Sequence, residues 1–365
     1  MIAAPKGEQN SAYRPARGLQ RRRSLRDRRW KGWLPGRLLT GVAGFDLERG
    51  SHPILTAEFR KPLRLAPGAT IGVAAISGPV DEAKLECGLA YLRGRGYRVR
   101  EASNLRSREG FLAGPDGERA AGYRALLEDP GVDAIFFARG GYGSSRILHL
   151  LDVEAVRAHP KIHLGSSDLT ALFAYLRRHG DLVTFYGPMV TTDMADPAAR
   201  GLDWERVLTG APPVEHRFSA SDVLSPGTAE GPLLGGCLSL LASLCGTAEA
   251  FSASGAILFW EDVGEEPYRL DRLLTQLERS DTLTGLRGMV IGSVLPGVGS
   301  DSPDRIREYL RRRFGDVPFP VAMNFPAGHC RSPRTVPLGA RVRLDLAEGG
   351  ALTFLEAGVS LPASP

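Results

Sequence analysis

Apolar stretches and helix-like patterns alternate along the chain from about residue 70. The segment TIGVAAI (70–76) is continuously apolar, which is typical of a strand buried on both faces of a parallel sheet, and VDAIFFA (132–138) predicts another buried strand. Residues 118–128 have the amphipathic spacing of a helix, and Asp81 is placed to cap another helix that ends near Gly94. This alternation predicts βαβ units and a doubly wound α/β layer.

The second half of the chain has a different pattern. The segment AILFW (256–260) predicts a buried strand, and Pro267 begins a helix with leucines on one face. Residues 231–247 predict a glycine turn followed by an apolar helix, and the end of the chain predicts a hairpin around Gly349-Gly350. Residues 196–230 are rich in Pro, Ala, Gly and Ser, which indicates a linker between two domains.

The positive charge is concentrated at the start of the chain. Residues 1–50 hold ten Arg and two Lys against four acidic residues, a net +8, so the remainder carries −3 of the formal +5. We interpret residues 1–60 as a basic, disordered extension. The alternatives are an arm that contacts nucleic acid or an anionic surface through its arginines and a twin-arginine export signal, although the segment after the arginines is a poor hydrophobic region. The predicted domains are an N-terminal domain (61–200), a linker (201–230) and a C-terminal domain (231–365).

The remaining composition narrows the class of protein. With 365 residues, 43% of them hydrophobic, the chain is typical of a soluble globular protein of two domains. No run approaches the roughly 20 apolar residues that cross a bilayer. The four cysteines form no CxxC pair and the seven histidines no HExxH motif, so the sequence predicts no metal and no cofactor. We expect reduced, mostly buried thiols in a cytoplasmic protein.

The segment HLGSSDLTALFAYLRRHG (163–180) combines a strand end, two serines and a helix. Asp168 occupies the predicted N-cap and Gly180 the predicted C-cap. A serine at such a turn lies beside helix N–H groups that can stabilise an oxyanion, which is the geometry that the nucleophile of a serine hydrolase needs. The alternative interpretation is that Ser167 only helps to cap the helix.

A glycine-rich turn, Arg139-Gly140-Gly141-Tyr142-Gly143, connects the strand at 135–138 to the next helix. Such a turn brings backbone N–H groups close to an anion, but its spacing is neither GxGxxG nor a Walker loop. Close packing of strand and helix is the alternative. Arg139 is a candidate for binding a substrate carboxylate.

Two further candidate catalytic residues lie at or after predicted strands in the second half of the chain. Glu261 comes at the end of an apolar strand, and His329 lies in a Gly-His loop. With Ser167 they supply the hydroxyl, imidazole and carboxylate that activate a serine nucleophile. A salt-bridge glutamate and a hydrogen-bonded loop histidine are the structural alternatives.

Four segments, taken together and in this order, resemble the LD-carboxypeptidases, which are the muramoyltetrapeptide carboxypeptidases of serine peptidase family S66. They are FFARGGYGSSRIL (136–148), GSSDLTAL (165–172), ILFWEDVGEEPYRLDRLLTQL (257–277) and GHCRSPRTVPLG (328–339). The resemblance extends from about Lys61 to about Gly358.

The resemblance implies a Ser167–Glu261–His329 triad. It also implies an oxyanion hole formed by the backbone N–H groups of Asp168 and Gly141. The substrate-binding residues on the glycine-rich turn are then Arg139, Gly140 and Tyr142.

The implied fold is a flavodoxin-like N-terminal domain that carries the serine. A smaller, swivelling β/α C-terminal domain carries Glu261 and His329, with the active site in the cleft between the domains. A homodimer is also implied.

Three positions depart from the family pattern. Ser166 replaces a common aromatic residue, Tyr186 replaces the His of an H-G-P-M segment, and Cys237 replaces the Asn of G-G-N-L-S-L. None of them is a proposed catalytic group, but all concern the pocket around the triad.

The function implied by the resemblance is hydrolysis of the L,D peptide bond that releases the C-terminal D-alanine of a cytoplasmic murein tetrapeptide during peptidoglycan recycling. One alternative is a microcin-immunity-type serine peptidase that cleaves an aminoacyl- or peptidyl-nucleotide, with Trp204 as a candidate aromatic platform. A second alternative is an inactive protein that binds cell-wall peptides.

Overall fold

The computed structural model describes residues 59–198, 201–297, 303–347 and 350–362, which form two β-sheets with flanking helices. The strands are β1 (Thr70–Ala74), β2 (Arg98–Glu101), β3 (Ala134–Phe137), β4 (Ile162–Gly165), β5 (Thr184–Tyr186), β6 (His216–Arg217), β7 (Val223–Ser225), β8 (Thr228–Cys237), β9 (Ile257–Val263), β10 (Gly288–Leu295), β11 (Val321–Ala322), β12 (Val336–Leu338), β13 (Arg341–Asp345) and β14 (Ala351–Phe354). The helices are α1 (Glu82–Gly94), α2 (Asp116–Glu128), α3 (Ser144–Ile147), α4 (Val153–Ala158), α5 (Leu169–Gly180), α6 (Trp204–Leu208), α7 (Leu238–Ser243), α8 (Pro267–Arg279) and α9 (Pro303–Phe314).

The first sheet is the predicted doubly wound layer. Its strand order is β12-β5-β4-β3-β1-β2, and β1 to β5 are all parallel. The order 2-1-3-4-5 is that of flavodoxin-like folds. The apolar runs explain the buried strands, since every residue of β1 and β3 is buried. The strand β12, from the far end of the chain, adds to the β5 edge in antiparallel orientation.

The second sheet has eight strands in the order β6-β14-β13-β8-β9-β10-β11-β7. Its centre, β8 to β11, is parallel, and antiparallel strands complete both sides. Residues 201–230 contribute α6, β6, β7 and the start of β8, so this Pro- and Gly-rich segment is largely incorporated into the fold. The pairing of β13 with β14 confirms the predicted hairpin, although Gly349 lies outside the described residues.

Helix α5 lies at the junction of the two sheets. Its residues 169–176 are all buried, and all of them except Thr170 pack into one apolar cluster with residues of both sheets, including Phe137 and Phe259. The helix ends one residue later than predicted, because Gly180 is still helical and Asp181 forms the left-handed C-cap with a φ of 49°. The prediction that the Asp168 side chain caps α5 is wrong, since Asp168 makes no capping hydrogen bond.

The glycine turn predicted at residue 231 is also wrong. These glycines lie within the ten-residue strand β8, and only residues 238–243 are helical. Gly235 has a φ of +142°, and a Cβ added to it would lie 1.7 Å from the carbonyl oxygen of Phe259 on the neighbouring strand. Glycine is required here for close approach of two strands, and not for a turn.

The expectation that the thiols are mostly buried is wrong. Only Cys237 is buried, Cys87 is exposed, and Cys245 and Cys330 are half-buried.

Among the described helices, none is long and apolar enough to cross a membrane. The described residues contain no cluster of three or more His, Cys, Asp or Glu side chains suited to a metal ion. Residues 1–58 of the basic extension lie outside the described part of the chain.

A buried histidine makes the fold sensitive to acid. His163 on β4 is fully buried, its Nε2 is 2.9 Å from the Tyr123 hydroxyl, and its Nδ1 is 2.9 Å from the carbonyl oxygen of Lys161. Burial lowers the pKa of His163 to about 4, so the neutral ring is the native form. Its contribution to stability is complete above pH 6.5, the ordinary value, and is lost as the pH falls towards 4.

Between pH 7 and pH 4, we expect the unfolding free energy of wild type to fall by about 3 kcal/mol more than that of a His163→Leu/Tyr123→Phe double variant. The double variant lacks the titrating ring. Urea unfolding at a series of pH values measures the difference. Parallel curves for the two proteins would contradict this role of His163.

Candidate active site

Ser167 lies on a strained turn between β4 and α5. Its φ is +61°, a left-handed conformation that is costly for a residue other than glycine. Two hydrogen bonds hold the turn: the Ser167 N–H donates to the Tyr186 hydroxyl (2.8 Å), and the Thr170 hydroxyl donates to the Ser167 carbonyl oxygen (2.7 Å). The Ser167 side chain is half-buried. The turn therefore fixes the backbone of Ser167 at the end of a parallel strand, where α/β proteins place their sites.

Asp168 connects this turn to two neighbouring loops. Its carboxylate is fully buried and accepts hydrogen bonds from the Ser77 hydroxyl (2.5 Å) and from the Ser144 N–H (2.8 Å). Ser77 follows β1, and Ser144 begins α3 directly after the glycine-rich turn. The aspartate thus connects, through Oδ2, the segments that follow three strands of the first sheet.

The glycine-rich turn lies against Ser167. A Cβ added to Gly140 would be 2.9 Å from the Ser167 Cβ and 3.5 Å from the Asp168 nitrogen, so glycine allows this close approach. Gly141 and Gly143 both have positive φ. The fully buried Arg119 donates to the carbonyl oxygens of Gly114 (3.1 Å) and Gly143 (2.9 Å), and this fixes the end of the turn.

The other two predicted catalytic residues are in direct contact. The His329 Nδ1 lies 2.7 Å from Oε2 of Glu261, and the His329 backbone N–H donates to the same oxygen (3.0 Å). Glu261, on β9, is fully buried, whereas 29% of the His329 side chain is exposed. Because the carboxylate accepts, Nδ1 carries the proton and Nε2 is the nitrogen left to act as a base. The contact requires glycine at 328, where a Cβ would lie 2.3 Å from the Glu261 Cγ.

Two side chains, one from the first sheet and one from helix α5, form hydrogen bonds with the second sheet. The Tyr186 hydroxyl, at the end of β5, donates to Oε1 of Glu261 (2.6 Å). Thr170, in the first turn of α5, accepts the N–H of Cys237 at the end of β8 (2.9 Å). Ser167 and the Glu261–His329 pair are therefore connected through the single hydroxyl of Tyr186.

The charges around His329 favour its protonated form. Burial lowers the pKa of His329, but the hydrogen bond and charge of Glu261, together with the charges of Asp262 and Asp193, outweigh burial and leave the pKa raised above 6.5. Burial also raises the pKa of Asp193, which lies on the segment after β5. Tyr186 remains protonated because burial and the neighbouring carboxylate raise its pKa well above 10.

The predicted substrate-binding residues differ in exposure: Gly140 is buried, Arg139 is half-buried and Tyr142 is exposed. Arg139 donates through Nη1 to the Pro79 carbonyl oxygen (3.1 Å), while its buried Nε has no hydrogen-bond partner. Tyr142 is 48% exposed and packs against the exposed ring of Phe111, with 5.9 Å between ring centroids. Trp204 is fully buried and its indole N–H donates to the Tyr91 hydroxyl, so it packs in the core and is not an exposed platform.

Sequence reasoning missed four residues that position the site. They are Ser77, Arg119, Ser144 and Thr170. Of the four, only Ser77 has a signal in the sequence, which is its position as a small polar residue directly after an apolar strand. Each of them makes at least one contact with a residue 24 or more positions away, which local patterns do not reveal.

Comparisons with known proteins agree with this architecture. A sequence model described as the LD-carboxypeptidase N-terminal domain matches residues 71–187, and one described as the LD-carboxypeptidase C-terminal domain matches residues 230–344. A Streptomyces coelicolor protein, provisionally named a carboxypeptidase, is 44% identical over 303 residues, covering 81% of this chain and 96% of the relative. The "probable murein peptide carboxypeptidase" of Bacillus subtilis is 37% identical, covering 82% and 95%.

Solved structures also match this chain. The crystal structure of a muramoyltetrapeptide carboxypeptidase from Oxalobacter formigenes matches with a TM-score of 0.70 and 30% identity, covering 78% of this chain and 97% of that one. The microcin C7 self-immunity protein MccF, in complex with glutamyl sulfamoyl guanosine, matches with a TM-score of 0.74, covering 82% and 99%. At 23% identity, this second match shows a shared fold alone.

Proposed function

Because the chain belongs to the LD-carboxypeptidases, the family that its segments resemble and that both domain matches show, we propose that it removes the C-terminal D-alanine from murein tetrapeptides. The names of its relatives support this substrate class. The observation that carries the mechanism is the Glu261–His329 pair, which Tyr186 links to the strained turn of Ser167.

In the proposed acylation step, the Ser167 oxygen bonds to the carbonyl carbon of the L,D peptide bond while its proton passes to Nε2 of His329. Glu261 holds the ring through Nδ1 and stabilises the imidazolium. The C–N bond then breaks, the proton moves from His329 to the departing D-alanine nitrogen, and an acyl-enzyme remains. Water resolves the ester by the same steps, with His329 as base.

The oxyanion hole in this proposal consists of the N–H groups of Asp168 and Gly141. The Ser167 N–H is engaged with Tyr186, so it is not the donor. The Asp168 nitrogen lies beside Gly140 on the glycine-rich turn, which supports a position between the two elements. Arg139 is proposed to bind the carboxylate of the substrate, with Gly140 and Tyr142 lining the same side.

We further propose that the protein acts in the cytoplasm, as a homodimer, during peptidoglycan recycling. Sedimentation or light scattering of the full chain measures the oligomeric state directly. A monomer at all concentrations tested would exclude the homodimer without affecting the proposed reaction.

The raised pKa of His329 gives a pH prediction. His329 must be neutral to accept the serine proton, and its neutral fraction falls as the pH drops through its pKa. Since that pKa is raised, we expect the acid limb of kcat/KM to lie above pH 6.5. Removing one neighbouring negative charge by Asp193→Asn should move this limb to lower pH. A wild-type limb at or below 6.5 would contradict the arrangement.

The proposed reaction is tested by measuring D-alanine release from a murein tetrapeptide beside hydrolysis of an aminoacyl sulfamoyl adenylate. We expect the tetrapeptide to be preferred. Preference for the adenylate would favour the microcin-immunity alternative. Binding of the tetrapeptide without turnover of either compound would favour an inactive binding protein.

A further inference from the structure

Tyr186 occupies a place that the proposed triad leaves unexplained. Its hydroxyl is fully buried and bonded on both sides, since it accepts the Ser167 N–H (2.8 Å) and donates to Oε1 of Glu261 (2.6 Å). A tyrosine hydroxyl has one proton to donate, and that proton is directed to the carboxylate. The ring is held by packing against Phe173 and Phe259, with centroid distances of 6.5 and 5.5 Å.

The two oxygens of Glu261 therefore have separate partners. Oε1 is bound by Tyr186, and Oε2 is bound by the backbone and ring of His329. With both oxygens fixed, the carboxylate cannot rotate away from the imidazole. A hydrogen bond to one oxygen also withdraws negative charge from the carboxylate, which weakens its attraction for a proton on His329.

The same hydroxyl also supports the nucleophile. Ser167 has an unfavourable positive φ, and its N–H is directed into the protein towards Tyr186. Without this acceptor, the Ser167 N–H would lose its partner and the turn would be free to relax. The Tyr186 hydroxyl thus sets both the orientation of the serine turn and the negative charge on the Glu261 carboxylate.

We propose that Tyr186 is a positioning residue that couples the serine turn to the Glu261–His329 pair and tunes the basicity of the imidazole. This inference rests on the proposed serine peptidase function, and it assigns a role to a residue at which this chain departs from the family's histidine.

The groups that face His329 determine the direction of the expected effect. They are Glu261 and Asp262 on β9 and Asp193 on the segment after β5. Cys237, at the end of β8, and Glu261 face Tyr186 itself, and the neighbouring Cys330 has a pKa raised to about 11 by burial. Among the residues that the structure describes, Glu261 is the one group bonded to both His329 and Tyr186, so loss of the Tyr186 hydroxyl concentrates charge on Glu261. This raises the pKa of His329.

The test is Tyr186→Phe, which keeps the ring and removes the hydroxyl. We expect kcat for D-alanine release to fall about 10- to 100-fold, as for a charged group left without a buried partner, with KM changed less than about threefold. The acid limb of kcat/KM should move to higher pH. Restoring the family's residue with Tyr186→His should recover part of the lost kcat. Unchanged kcat and an unchanged limb in Tyr186→Phe would overturn the proposal.

A second variant covers the case in which Tyr186→Phe folds poorly. Replacing Tyr186 by 3,5-difluorotyrosine keeps the shape and gives a stronger donor, so the pKa of His329, measured by NMR of its ring, should fall below the wild-type value. No change, or a rise, would overturn the proposal.

The NMR measurement also separates this inference from the proposed function. If wild type releases no D-alanine, the proposed reaction is wrong. The coupling is still tested by the ring pKa and by the rate at which a fluorophosphonate probe labels Ser167 in wild type and Tyr186→Phe. Equal labelling rates and equal ring pKa values would reject the coupling.

Discussion

Ser167→Ala is expected to reduce kcat for D-alanine release by about three to six orders of magnitude, because loss of a triad nucleophile removes the covalent route entirely. The tetrapeptide should still bind, since Arg139 and the glycine-rich turn are unchanged. Release of D-alanine and equilibrium binding of the peptide are measured on the same preparation.

Ser166→Ala is the matched control for this variant. The two serines are adjacent and both half-buried, but only Ser167 has the positive φ and the hydrogen bond to Tyr186. Ser166→Ala should keep kcat within about threefold of the wild-type value, because the substitution removes no buried contact. If the losses were reversed between the two variants, the nucleophile would be Ser166 and the geometry around Ser167 would need another explanation.

Gly328→Ala is expected to have the second largest effect. The added Cβ would lie 2.3 Å from Cγ and 2.4 Å from Oε2 of Glu261, and the backbone there has a φ of +94°. Glu261 is fully buried between Tyr186 and His329, so it has no free space into which to move. A shift of about 1 Å in a catalytic group can cost about 100-fold in rate, and overpacking adds about 1–3 kcal/mol of destabilisation.

Gly96→Ala separates backbone strain from this collision. Gly96 has a similar φ of +87°, is exposed, and has no atom within 4 Å of an added Cβ. We expect Gly96→Ala to cost about 1–2 kcal/mol for the left-handed backbone and to leave kcat unchanged. Thermal unfolding and kcat are measured for both variants. Equal kcat in Gly328→Ala and wild type would show that the position of Glu261 does not control turnover.

The parallel layer and helix α5 could be predicted because their signals are local. Continuous apolar runs specify strands such as β1 and β3, and the spacing of leucines specifies α5 and α8. Glu261 and His329 could be named from their segments, but their 2.7 Å contact joins residues 68 positions apart. Only the packed structure reveals such a distance.

The remaining features have no local signal. Gly235 and Gly236 indicate a turn by composition, whereas the structure uses them for close contacts with Phe259 and Thr170. The strand β12 has three residues with a proline in the middle, which is tolerated because β12 is at a sheet edge. The bridging role of the Tyr186 hydroxyl depends on two partners from distant parts of the chain, one of them 75 residues away.

The addition of β12 to the β5 edge has a consequence for biosynthesis. A nascent chain emerging from the ribosome has made all five parallel strands of the first sheet by residue 186, yet the strand that covers β5 comes about 150 residues later. Until then, β5 has an unpaired edge of the kind that recruits other chains. Fragments that end before residue 336 should therefore depend on chaperones to remain unaggregated.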